Sequence, residues 1–356
     1  MCTDVEPVLL IQRCVCPALP KGVQVDLRAD VGCGGLVLQQ SPRQAVQVAV
    51  AVIILEADPS QFSFTHKSAP KLEKHKYFVE YPHEYHFVIN EPEKCKQQKP
   101  FLVLMVPVAP QNRGHRNNIR STWGNESTVL GKVVKLFFLL GLPTGKGAEQ
   151  VQQQVLQESR EHQDLIQSDF VDCYKNLTIK TMMILEWLDS YCSSASYAMK
   201  IDSDTFLNLD NLINMLLNAP KINYMTGMVE CNAVVSRDPS SKWYLPVEVF
   251  PEPKYPCYSI GMGYILSLDL PRKVVHSSKH NKALYIEDVY LGMCMKYLGI
   301  LPTHPPDLNC FHYIPVLYDR CAYSKLIITT TYEHTDHVWV WKDFKRSGPF
   351  CIDETQ

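Results

Sequence analysis

The chain has no long basic run. Its 35 Lys and Arg stand against 37 Asp and Glu, a formal net charge of -2. That argues against a nucleic-acid binder and leaves room only for local basic patches suited to phosphates. There is no paired Cys-x-x-Cys, so a cysteine zinc site is not indicated. No apolar run reaches the roughly 20 residues needed to cross a bilayer. The nearest approach, Val46 to Leu55, is short and interrupted by Gln47. Met1-Cys-Thr-Asp-Val-Glu6 lacks the basic opening of a signal peptide. Gly261-Met-Gly263 lacks the third glycine and the strand–helix setting of a dinucleotide fingerprint.

What is present is ordinary in bulk, at 46% hydrophobic and 20% charged residues, enough for a sizeable core. Thirteen cysteines are many for a cytosolic enzyme. Cys95, Cys192, Cys294, Cys321 and Cys351 read as a secretory disulfide set, with connectivity open. The odd total leaves at least one thiol free or paired between chains. Two sequons, Asn125-Glu-Ser127 and Asn176-Leu-Thr178, suit the same compartment. Residues 1–60 are expected to be poorly ordered, and whether they are the natural amino terminus stays open. Residues 61–99, rich in Lys, His, Glu and Pro, read as a stem or linker. A catalytic domain is expected over 100–351.

From Phe101 the pattern is α/β. Phe101 to Val108 and Val133 to Leu140 are continuous apolar runs, the mark of buried central strands. Polar 146–162 and apolar-faced 177–188 read as helices. Tyr197 to Ile201 reads as a strand with Tyr197, Met199 and Ile201 on one face. A helix near 210–218 and a strand near 223–229 follow. This alternation predicts a mostly parallel sheet flanked by helices.

Asp202-Ser203-Asp204 then falls at the carboxyl end of a strand, where such sheets bind ligands. Paired hard oxygens there suit Mg²⁺ or Mn²⁺; the plainer reading is an Asx-type turn with solvated side chains. Arg116 and Arg120 share one helix face and Ile119 and Trp123 another. The arginine forks match phosphate oxygens, although from spacing alone a solvent-facing pair is the better reading. Trp243, Tyr244 and Tyr264 can stack on sugar rings or simply pack. Gly261 and Gly263 allow close backbone approach. Glu287 and Asp288 open a helix whose dipole favours ionised carboxylates. Capping explains one of them and leaves the other free for general-base work. A metal phosphohydrolase would need more His or Asp ligands near Asp204 than the sequence offers.

Taken in order, Arg116-x-x-Ile-Arg-x-Thr-Trp123, Asp169-Phe-x-Asp-x-Tyr-x-Asn-Leu-Thr-x-Lys-Thr181, Lys200-x-Asp-x-Asp204, Tyr255-Pro-x-Tyr-x-x-Gly-x-Gly-Tyr264 and Glu287-Asp-Val-x-x-Gly292 resemble the β-1,3-galactosyltransferase / β-1,3-N-acetylglucosaminyltransferase family, glycosyltransferase family 31. The blocks span roughly residues 92 to 300. Asn90-Glu-Pro-Glu-Lys-Cys95 looks closest to the galactosyltransferase branch. The resemblance implies a GT-A (Rossmann-like) fold in a type II Golgi membrane enzyme, with the catalytic domain in the lumen. It implies Mn²⁺, a UDP-sugar donor, a glycan acceptor on a glycoprotein or glycolipid, and transfer with inversion. Carried over by residue, Asp204 holds the metal, with Asp202 beside the nucleotide. Arg116, Arg120, Lys200 and Ser203 line the donor nucleotide. Trp243, Tyr244, Gly261, Gly263, Tyr264 and Glu287 lie toward donor sugar and acceptor, and Asp288 is the base. Where the family usually offers a metal-binding histidine this chain has Thr330, and His334 is the substitute four residues on. Two alternatives stay open: an N-acetylglucosamine donor, and a catalytically inactive glycan-binding relative.

Overall fold

The computed structural model describes residues 74–351. The reading of residues 1–60, and of the linker before residue 74, lies outside the described residues. In chain order the strands are β1 (Phe87–Ile89), β2 (Leu102–Pro107), β3 (Thr128–Val129), β4 (Lys132–Leu142), β5 (Leu165–Val171), β6 (Tyr197–Ile201), β7 (Thr205–Leu207), β8 (Met225–Glu230), β9 (Tyr258–Ser267), β10 (Phe311–His312) and β11 (Ile328–Thr330). The helices are α1 (Lys94–Gln98), α2 (Arg113–Arg120), α3 (Ala148–His162), α4 (Leu177–Tyr191), α5 (Leu209–Leu217), α6 (Leu270–Ser278), α7 (Glu287–Tyr297), α8 (Arg320–Lys325) and α9 (His337–Phe344).

The large sheet runs β1-β5-β4-β2-β6-β9-β8, with β3 paired to β4. Its centre, β5-β4-β2-β6, is parallel, as the alternation of apolar runs and helices requires. Alternate residues of β6 enter different cores. Tyr197, Met199 and Ile201 pack with Ile119 and Trp123, while Ala198 packs with Met182 and Trp187 of α4. The sheet is mostly parallel, as expected, and its β8–β9 edge is antiparallel, in both the β6–β9 and β8–β9 pairs. The physical reason is the connection. Residues 231–257 contain no helix, and a parallel return needs a crossover, usually helical. Helix α7 ends at Gly299 (φ 69°) with Ile300 N–H on Met295 O and Gly299 N–H on Lys296 O, a Schellman cap.

Residues 74–99 are part of this domain rather than a free linker. Strand β1 extends the sheet beside β5. Cys95 is bonded to Cys192, Trp187 Nε1 donates to Asn90 Oδ1 (2.7 Å), and the Tyr81 hydroxyl donates to Glu186 Oε1 (2.5 Å). The polar composition hid this because a few buried residues, Tyr77, Tyr81 and Cys95, provide the attachment. Cys231–Cys257 and Cys321–Cys351 are the other bridges whose two ends both lie among the described residues. Cys294, expected in the disulfide set, is instead a buried free thiol packed in the core.

The carboxyl ends of the central strands are tied by one buried ion pair. Lys180 Nζ donates to Asp172 Oδ2 (2.7 Å) and to Val108 O (2.9 Å), and Asp172 Oδ2 also accepts the Gly141 N–H (2.8 Å). Removing one partner strands the other charge in a site with almost no water. Lys180→Met should cost about 3–5 kcal/mol, read as a lowered urea midpoint at unchanged slope.

Candidate active site

Strand β6 delivers its last residues to the sheet's carboxyl edge, where Lys200 becomes the hub. Its ammonium is 2.7 Å from Asp202 Oδ1, also donates to the Gly261 carbonyl, and lies 3.9 Å from Glu287 Oε2. Asp202 is pinned through its backbone as well, donating N–H to Met262 O. Strand β9 therefore sits directly beside the Asp-Ser-Asp turn, in the register Ile201 opposite Gly263.

The first turn of α7 meets the same strand from the other side. Asp288 Oδ2 accepts the Gly261 N–H at 3.0 Å, and its Oδ1 accepts the Val289 N–H at 2.8 Å. Gly261 thus faces Asp288 with its N–H and Lys200 with its carbonyl. A Cβ added at this glycine would lie 3.0 Å from Glu287 Oε2 and 3.4 Å from Asp288 Oδ2. Gly261→Ala should therefore press the two acids apart. We expect at least about a tenfold fall in kcat/KM, an effect worth ~1.4 kcal/mol, with near-wild-type melting.

Glu287 is not a spare cap. Its Oε1 accepts from the Tyr264 hydroxyl (2.7 Å) and Thr181 Oγ1 (3.1 Å). Burial pushes its carboxyl up to about 7, against the pull of Lys200. Burial also raises Asp288, opposed by the Gly261 and Val289 amides, and raises Asp202. Burial disfavours the Lys200 ammonium, but Asp202 and Glu287 outweigh it, so its pKa is raised and the charge is held. The cluster is a chain of three carboxylates strung round one ammonium.

Asp204 differs from all of these. Its backbone carbonyl is taken by Thr331, from N–H (2.9 Å) and Oγ1 (2.8 Å), but its half-buried carboxylate makes no hydrogen bond or ion pair. Ser203 Oγ lies 3.1 Å from His115 Nδ1. Thr331 Oγ1 in turn is 3.4 Å from His337 Nε2. Burial, and then His115, hold His337 below its ordinary pKa, in the neutral form that metal ligation needs. Two histidines thus approach the Asp-Ser-Asp turn, His115 at Ser203 and His337 through Thr331. His334 is exposed and makes no such contact, because the chain turns outward at residues 332–334 before α9 begins. Among the described residues no group of three or more His, Cys, Asp or Glu is arranged to hold a metal ion by itself. A carboxylate with no protein partner still suits an ion that takes most of its ligands from phosphate and water.

Four other expectations need correction. Arg116 is fully buried. It forks onto Glu158 (2.7 Å to each oxygen) and donates to the carbonyls of Ala109 and Pro110, so little is left for a ligand. Arg120 is spent on Asp164, bidentate at 2.7–2.8 Å, and on Glu158. Tyr264 is fully buried, its hydroxyl consumed by Glu287. Gly263 faces Ile328 and Met199, so it serves packing rather than a ligand. Trp243 is half-exposed, at 51%, on the loop clipped by Cys231–Cys257. Its loop is held through the carbonyls of Lys242 and Tyr244 to the hydroxyl of Tyr285, two residues before Glu287. Tyr244 packs on Tyr77, ring centroids 5.9 Å apart.

The sequence profile described as Galactosyltransferase matches residues 114–306, an interval that contains Lys200, both acids of the Asp-Ser-Asp turn, Gly261, Glu287 and Asp288. The chain belongs to the galactosyltransferase family. Like the family's β-1,3-galactosyltransferase 2 of Homo sapiens, it keeps 40% of residues identical, over 272 positions that cover 75% of this chain and 64% of that one. Against β-1,3-galactosyltransferase 1 of Mus musculus it is 40% identical over 266 residues, covering 74% of this chain and 79% of the relative. The chain thus spans slightly less than two thirds of the former relative's length. His115 falls inside the matched interval and His337 beyond it.

Proposed function

We propose that this galactosyltransferase-family chain is an inverting β-1,3-glycosyltransferase. It moves galactose from UDP-galactose to the 3-hydroxyl of a terminal N-acetylhexosamine on a glycoprotein or glycolipid glycan. One observation carries the reading: Gly261 joins Asp288 to the Lys200–Asp202 pair, so a base and a nucleotide-side cluster share one site.

Both Asp288 oxygens already accept backbone N–H groups, yet each retains a second lone pair. That carboxylate takes the proton of the acceptor hydroxyl as its oxygen bonds to the anomeric carbon. The bond from that carbon to the UDP oxygen breaks on the opposite face, its electron pair leaving with UDP, and the centre inverts. Lys200 keeps Asp202 fixed and offsets the negative charge of Glu287. Asp204 and His337 would hold Mn²⁺, which when bound supplies the positive charge that a departing diphosphate needs. Disulfides suit an oxidising compartment, and we place the catalytic domain in the Golgi lumen at its membrane. Among the described residues no helix is long and apolar enough to cross a membrane.

The test is UDP release across UDP-galactose, UDP-N-acetylglucosamine and UDP-glucose, with and without an N-acetylglucosaminide acceptor and Mn²⁺. Fastest release with UDP-galactose plus acceptor supports the reading. Preference for UDP-N-acetylglucosamine would replace the donor assignment.

A further inference from the structure

A cavity of about 260 Å³ is lined by Lys76, Lys175, Lys242, Tyr77, Tyr244 and Tyr285, with no carboxylate among the described residues of its wall. A second cavity, about 300 Å³, carries both signs of charge, with Lys94 and Lys135 against Glu126 and Asp164, and shows no such bias. The three lysines of the first pocket make no ion pair. Lys76 lies 5.1 Å from the Tyr77 ring centroid, Lys175 lies 3.4 Å from that of Tyr285, and Lys242 lies 4.4 Å from Trp243. Burial and the neighbouring Lys76 both push the Lys175 ammonium down. Three like charges converge here with only aromatic faces to offset them.

The pocket is also built, not incidental. The Tyr285 hydroxyl donates to the carbonyls of Lys242 (2.8 Å) and Tyr244 (3.0 Å), locking the loop to the segment that leads into α7. Arg237 braces the same loop through the carbonyls of Leu245, Phe250 and Glu252. It adjoins the reactive centre by sequence and by space. Tyr285 precedes Glu287 by two residues. Lys175 follows Tyr174, whose hydroxyl feels Asp288 and Asp202.

We propose that this pocket binds an anionic substituent of the acceptor glycan, a sugar carboxylate or a sulfate ester, so that acidic acceptors are preferred over neutral ones. The proposal rests on the glycosyltransferase reading for its role in turnover. The buried Tyr77 and Tyr285 rings hold the wall in place, the half-buried Tyr244 borders the sugar, and the ammoniums take the anion. A one-sign cleft raises local substrate concentration by about tenfold or more.

The test compares one terminal N-acetylglucosaminide oligosaccharide in three forms, neutral, sialylated and sulfated away from the accepting hydroxyl. Binding is followed by calorimetry on the full chain with UDP and Mn²⁺, and kcat/KM by UDP release. We expect both acidic forms, or one of them, to bind and react about tenfold better than the neutral form. That ratio should fall toward one in Lys175→Gln/Lys242→Gln and in about 0.5 M salt, where charges are screened. If only one acid is preferred, it identifies the anion. Should the double variant fold poorly, exposed Lys76→Gln gives the same change at smaller size. Equal binding of all three forms, or a preference that survives the lysine variants, overturns the pocket assignment. If no acceptor turns over, the transferase reading fails while the binding arm still decides this one.

Discussion

Asp288→Asn should lose about 10²–10⁴-fold in kcat, the usual worth of a positioned general base, while UDP binding stays close to wild type. The argument is geometric. Asp288 takes its two hydrogen bonds from backbone amides of Gly261 and Val289, so an amide side chain of equal size keeps one of them, turns its NH2 against the other N–H, and loses the proton affinity. Neither amide belongs to the Asp-Ser-Asp turn, so nucleotide contacts there survive. The pH profile carries the same signature. Burial raises the Asp288 carboxyl above its ordinary range. The ionised, active form is therefore lost as pH falls through that raised value, and the acid limb of kcat/KM lies above the usual aspartate pKa. A kcat for Asp288→Asn within about threefold of wild type, too small for a general base, would remove Asp288 from this role.

Asp204→Asn should cost roughly 10²–10³-fold in kcat/KM, comparable to losing one preorganised group that faces developing charge. It should also abolish the manganese dependence of UDP affinity. Asp204 is the one acid of the site whose carboxylate has no partner in the protein, whereas Asp202, Glu287 and Asp288 are each engaged. His337→Ala should follow in the same direction with a smaller loss, and His334→Ala should leave the titration by Mn²⁺ unchanged. The measurement is calorimetry of UDP with and without Mn²⁺ on each variant. Equal losses in the two histidine variants would contradict the placement of His337.

Much of this site could be read from residues alone, and the part that could not has a common cause. Tyr197 to Ile201 was legible because β6 is buried on both faces yet splits its side chains between two cores at period two. Its end at Asp202 followed from chain direction. The role of Arg116 was not legible. Spacing on α2 sets its face but cannot disclose Glu158, 42 residues away on a helix that reads as exposed. Tyr264 failed similarly: its aromatic body suggested stacking, while its hydroxyl is committed to Glu287, 23 residues on. The antiparallel β8–β9 pairing follows from a connection without a helix, whose Pro-rich stretch Val249 to Pro256 already reads as loop. His334 was read as the histidine near Asp204, but a count along the chain ignores that residues 332–334 are exposed, while His337 lies 3.4 Å from Thr331. In each case a long-range partner decided what the local pattern left open.

The most direct test of the central claim is the structure of the first product formed from UDP-galactose and an N-acetylglucosaminide in the presence of Mn²⁺, followed by NMR. The account predicts a β-1,3-linked galactoside, formed by wild type and suppressed in Asp288→Asn. An α-linked product, or a β-linked product formed equally well by Asp288→Asn, would contradict it.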